Sequence, residues 1–210
     1  MRRVDSHVGD EDGHSFQSMP ELLVLGGDSF GDYHARQLRR AGAGTVRMVT
    51  SDWLTVLREW IPAASPEDQV VPGPMMPHLL WEWLAGELGA APAPPPYDWR
   101  LPFEKPGPAG ELYLSAAAWV CPATCIEPAH CPILHAPRDW DLGDIIEARA
   151  VAEGLRPAVF RCIHYAGGVG TVAAGSLQAA REPIGTEGIL VATTSRCHAA
   201  VGCLSSDPVR

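Results

Sequence analysis

Leu22-Leu23-Val24-Leu25 is a continuous apolar run closed by Gly26-Gly27, and helix-forming and then strand-forming sequence follows it directly. A run that is apolar at every position suits a strand buried on both faces, the situation of a parallel sheet. Asp28 or Ser29 is placed to cap a helix through Phe30, Ala35, Leu38 and Ala41, and Gly42 or Gly44 to end it. Thr45 to Thr50 then reads as a second strand. Parallel neighbours need a crossover connection, so this order predicts a βαβ unit over residues 21–50 and places the chain in the α/β class.

The pattern continues. Trp53 to Trp60 reads as a helix with Leu54 and Leu57 facing the core, and Gln69-Val70-Val71 as a short strand stopped by Pro72-Gly73-Pro74. His78 to Leu84 reads as another helix, whose Trp81 and Trp83 belong to a core or a subunit contact. The stretch from Ala90 to Pro96 contains Ala-Pro-Ala-Pro-Pro-Pro, which favours an extended polyproline conformation and marks the best boundary. The expected organisation is a polar flexible extension over 1–20, a parallel-sheet half over 21–89, a proline-rich linker over 90–98 and a second α/β half over 99–210.

The segment Leu23 to Gly31 resembles the first turn of Rossmann-type nucleotide-binding domains, among them those of potassium-uptake regulatory proteins and siroheme-pathway dehydrogenases. The resemblance covers about residues 21–53 and implies a Rossmann-like parallel sheet with NAD(P) as cofactor. It puts Gly26 at the tight turn, Gly31 where the helix packs on the strand, and Asp52 where an acid binds ribose. Gly27 is the remaining glycine of the turn. Asp28 stands at the middle-glycine position, adding bulk and negative charge where a pyrophosphate would approach. A second glycine-rich turn, Tyr165 to Thr171, reads as a strand-to-helix junction, either an anion cradle or a tight turn with close packing.

In the second half, Glu111 to Leu114, Ala158 to His164 and Ile189 to Thr193 read as strands, and Asp141 to Arg149 and about Thr171 to Arg181 as helices. Between the first strand and first helix lies Cys121-Pro-Ala-Thr-Cys125-Ile-Glu-Pro-Ala-His-Cys131-Pro, three thiols in a loop punctuated by prolines. Thiolates that converge on a metal need such a loop, and proline leaves neighbouring amides free to hydrogen-bond sulfur. The Cys-x3-Cys-x5-Cys spacing matches neither zinc ribbons nor bacterial ferredoxins, and it departs from the Cys-x3-Cys-x2-Cys of radical S-adenosylmethionine enzymes. Further ligands are sought in Cys162 and Cys197, at the ends of two strands that would deliver Arg161-Cys162 and Arg196-Cys197 to one edge. Cys203 is a further thiol candidate and His130, His135, His164 and His198 are nitrogen alternatives, while the competing reading has the thiols as small buried core residues.

Composition narrows the functional classes. A formal net charge of -9 with 16 Lys and Arg argues against a nucleic-acid surface. The longest apolar runs fall short of the roughly 20 residues that span a bilayer, and the first 20 residues lack the apolar core of a signal peptide. A cytoplasmic setting is expected, where six cysteines are better suited to metal binding than to disulfides. Arg138-Asp139-Trp140-Asp141 reads as anion-binding residues or a helix cap, and Glu127 as a base or a solvated carboxylate. The expected function is an iron–sulfur redox protein, an oxidoreductase component or electron-transfer partner of another protein or a small-molecule ligand. The alternative is a zinc-stabilised, non-catalytic nucleotide-sensing or regulatory module.

Overall fold

A computed structural model describes residues 19–73, 76–96, 98–118, 121–122, 124–183, 185 and 187–205. Most of the extension expected over 1–20 lies outside the described residues. In chain order the elements are β1 (Glu21–Leu25), α1 (Ser29–Arg40), β2 (Thr45–Val49), α2 (Trp53–Trp60), β3 (Gln69–Val71), α3 (Leu79–Leu88), β4 (Ala91–Ala93), β5 (Phe103–Pro106), β6 (Leu112–Ser115), β7 (His130–Cys131), β8 (Ala136–Pro137), α4 (Leu142–Ala152), β9 (Arg156–Arg161), β10 (Ile163–Ala166), β11 (Val169–Ala173), α5 (Ala174–Ala179), β12 (Ile189–Thr194) and β13 (His198–Ser205). The fold is mixed α/β.

The first sheet has the order β10-β11-β3-β1-β2, with β1 parallel to both β2 and β3. The third strand therefore lies beside the first, whereas dinucleotide-binding halves place the second strand between them. Alternation along β1 explains its wholly apolar sequence. Leu22 and Val24 pack against Ala35 and Leu38 of α1, while Leu23 and Leu25 face the opposite way, into a core shared with α2 and α3.

The second sheet has the order β5-β6-β13-β12-β9, with β4 also paired to β13. Phe160 and Val191 face the shared core against Trp83 and Leu84, and Leu190, Ala192 and Val201 pack on Leu142, Ile146 and Ala150 of α4. Burying each of the Phe, Val, Leu and Ile side chains among them contributes about 1.5–3 kcal/mol. Both sheets thus sandwich α2 and α3.

Three local expectations change. Ala158 to His164 is divided at Cys162, whose amide makes a bond to the Thr194 carbonyl at 2.7 Å before the chain crosses to the first sheet. The glycine turn after Tyr165 joins β10 to β11 in a hairpin. Gly167 and Gly168 have φ of 60° and 74°, as a two-residue turn with two positive φ angles demands, so no helix N-terminus stands there. The proline-rich segment 90–98 carries β4, in which Pro92 lies opposite Leu204 of β13. Strand pairing also crosses the expected boundary, since Val172 of β11 lies opposite Val70 of β3.

Candidate metal centre

β9 and β12 are adjacent and parallel, with Arg161 opposite Thr194. Their carboxyl ends bring Arg161-Cys162 and Arg196-Cys197 to one edge, and the cysteine loop folds over that edge. Glu127 accepts from the Arg196 and Cys197 amides, and His164 Nε2 lies 3.0 Å from the Cys125 carbonyl oxygen. A carbonyl only accepts, so Nε2 carries the proton. The turn itself is pinned by Ala116 donating to the Cys197 carbonyl and Leu142 donating to that of Arg196.

Two sulfurs lie among hydrogen-bond donors. Cys131 ends the short β7 strand, which pairs with β8, and its thiol is buried. The Leu134 amide outweighs the cost of burial and, with the Ile133 amide and the Arg138 guanidinium, holds the Cys131 pKa below the usual thiol range. Arg138 is itself buried, donates from Nε to Cys197 Sγ at 3.2 Å and from Nη1 to the Pro128 carbonyl, and lies 6.0 Å from the centroid of the Trp140 ring. Burial pushes the Cys197 thiol up, against the pull of Trp140 and Arg138 and with that of Glu127. A thiol is a weak acceptor, so N–H groups aimed at sulfur favour the thiolate.

The other cysteines differ. Cys162 lines a cavity at the strand edge, where burial and the Glu127 carboxylate push its pKa to about 12. Cys203 lies in the core against α4, and burial likewise pushes it to about 12. Cys121 and Cys125 are half-buried in the loop. Among the described residues, no three His, Cys, Asp or Glu side chains are arranged to hold a metal ion. The structure therefore brings Cys131 and Cys197 to one guanidinium without closing a ligand set around them.

At the first glycine turn, two glycines have structural work. Gly26 has φ 144°, and a Cβ on Gly31 would stand 2.6 Å from the Gly26 carbonyl oxygen. Gly27 packs beside Thr50. Asp28 caps α1, its carboxylate accepting from Phe30 at 3.0 Å and Gly31 at 2.9 Å. The amides that would hold a pyrophosphate are thus filled by an internal anion, and these residues do not fit a dinucleotide at this turn. Asp52 precedes α2 with φ 52° and makes no side-chain cap.

Sequence reasoning missed the carboxylate network around the strand ends. Asp141 caps α4 through Gly143, as expected, but also meets Arg161 at 2.8 Å and Arg196 at 3.6 Å. The signal was the repeated Arg-Cys pair at the ends of two strands. Among the described residues no helix is long and apolar enough to cross a membrane. No curated protein and no solved structure matches the chain. Residues 76–207, which hold the cysteine loop and both strand ends, match AF_1314_C, described as "Uncharacterized protein, C-terminal domain", and the chain belongs to that family.

Proposed function

We propose that the chain is a metal-binding redox protein whose centre, an iron–sulfur cluster, is anchored on Cys131 and Cys197. The observation that carries this reading is the shared Arg138 guanidinium, which hydrogen-bonds Cys197 Sγ and faces the Cys131 sulfur, itself bonded by the Ile133 and Leu134 amides. Donors on sulfur disperse the negative charge of a thiolate-bound cluster and tune its potential. Cys121 and Cys125 would supply the further ligands from the loop, with Cys162 as the strand-end reserve. A cluster would supply one-electron transfer to a partner protein or small molecule, while the chain's own residues hold and shield it. The N-terminal sheet serves as a frame, because Asp28 already fills its helix-end anion site.

Anaerobic purification followed by iron, acid-labile sulfide and zinc analysis tests the reading. The wild type is expected to carry iron and sulfide with visible absorption, and Cys131→Ser and Cys197→Ser to lose both. Zinc without sulfide would replace the redox reading with the zinc-stabilised one. A wild type with no metal would overturn both.

A further inference from the structure

Between the ends of β9 and β12 and the cysteine loop lies a cavity of about 210 Å3, walled by Glu127, Arg161, Cys162, His164, Ser195 and Arg196. It stands outside the carboxyl ends of adjacent parallel strands, where open α/β sheets receive ligands. It is smaller than the roughly 300–1,000 Å3 that encloses drug-sized molecules, so its occupant has only a few heavy atoms.

We propose that this cavity binds a small carboxylate, and that the Glu127 side chain fills the carboxylate subsite until the ligand displaces it. Glu127 Oε2 accepts from the Arg196 amide at 3.1 Å and Oε1 from the Cys197 amide at 3.2 Å. Two consecutive amides thus grip one carboxylate through both oxygens, and successive N–H groups turned to one side form an anion-binding concavity. The group already seated there displays the geometry that the concavity accepts.

Glu127 reaches this position from a separate loop, with φ 48°, a conformation that glutamate keeps only where its surroundings hold it. Its release relaxes the loop, frees the Arg196 amide and leaves the Cys197 amide, which Ser195 Oγ shares at 3.3 Å, open on one side. Arg196 supplies the charge for an incoming anion, since its side chain is 44% exposed and its contact with Asp141 is 3.6 Å. Arg161 is a wall, held at 2.8–3.0 Å by Asp141, Asp144 and Glu147. Ser195 Oγ accepts from the Cys197 and His198 amides, which leaves its hydroxyl hydrogen for the ligand. None of these groups requires the metal centre.

Calorimetric titration of the full chain with sodium acetate and, separately, sodium phosphate at constant ionic strength tests the proposal. Acetate is expected to bind Glu127→Ala at least about tenfold more tightly than wild type, a difference that a competing internal carboxylate readily supplies. Glu127→Gln should fall between them, and Arg196→Gln added to Glu127→Ala should weaken acetate binding severalfold. Circular dichroism on the same samples reports folding, and Glu127→Gln decides the matter if the alanine variant does not fold. Equal acetate affinity in wild type and the folded variant, or phosphate binding without acetate binding, would overturn the proposal. Metal analysis of the same samples separates the two ideas: metal without an acetate response sinks the carboxylate site alone, and an acetate response without metal sinks the metal centre alone.

Discussion

Arg138 Nε lies 3.2 Å from Cys197 Sγ across 59 residues of sequence, and the same guanidinium donates to the Pro128 carbonyl. One buried cation therefore ties the cysteine loop to the turn between β12 and β13. Arg138→Gln shortens the side chain and leaves that carbonyl and the sulfur without their donor. The expected loss of stability is about 1–3 kcal/mol, the cost of a buried polar group left unsatisfied, read by urea denaturation.

Cys197 and Cys203 sit six positions apart in sequence but in different surroundings, one against Arg138 and the other among Leu112, Leu190 and Val201. Cys203→Ala should retain the wild-type metal content and cost about 1 kcal/mol for the small cavity. The proposed centre requires that Cys197→Ala lower the metal content. Equal metal loss in the two variants would show that the sulfur beside Arg138 has no special role.

Asp28 and Gly31 make opposite demands on the first turn. Asp28→Ala removes the α1 cap at a cost of about 1 kcal/mol, whereas Gly31→Ala forces a methyl against backbone and should cost about 1–3 kcal/mol. Fluorescence titration with NADH is expected to show no binding to the wild type. Saturable binding would mean that the Asp28 carboxylate leaves the helix end when a nucleotide arrives.

Glu111 and Tyr113 form a pH-sensitive pair, joined by a 2.6 Å bond from the Tyr113 hydroxyl to Glu111 Oε1. Burial opposes ionisation of Glu111, but the Tyr113 hydroxyl, the Glu111 and Ala109 amides and His78 outweigh it and lower its pKa. Its contribution is present above the ordinary carboxylate pKa and lost as pH falls through the lowered folded value. Burial, reinforced by Glu111, pushes Tyr113 from 10.0 to about 12. Its contribution is present below pH 10 and lost as pH rises towards about 12. Tyr113→Phe should reduce the alkaline loss to the part that Cys162 and Cys203 carry, and start the acid loss at higher pH, as denaturation curves across pH will show.

The strands legible in the sequence, β1, β2, β3, β6 and β12, are rich in aliphatic, β-branched or aromatic residues, and α2 matched its expected ends at Trp53 and Trp60. His198–Ser205 escaped because its alanines and glycine have low strand propensity. Gly202 is nevertheless required there, since a Cβ would stand 2.5 Å from the Trp81 ring that crosses the strand. Cys162 was legible as a strand-end cysteine but not as the point where one strand becomes two, because the apolar sequence on both sides is continuous. The convergence of Arg161-Cys162 and Arg196-Cys197 followed from two buried runs of similar length. The hold of Arg138 and Glu127 on that edge depends on tertiary contact, which local pattern does not encode.

The hairpin of β10 and β11 completes a sheet whose other strands come from the beginning of the chain. A fragment trimmed to 76–207 would keep the hairpin and lose β3, leaving Val172 and Ala173 on a bare edge ready to recruit a strand from a neighbouring molecule. Expressed alone, the family-matched stretch should therefore self-associate, and adding residues 19–73 back in the same chain should restore a monodisperse product.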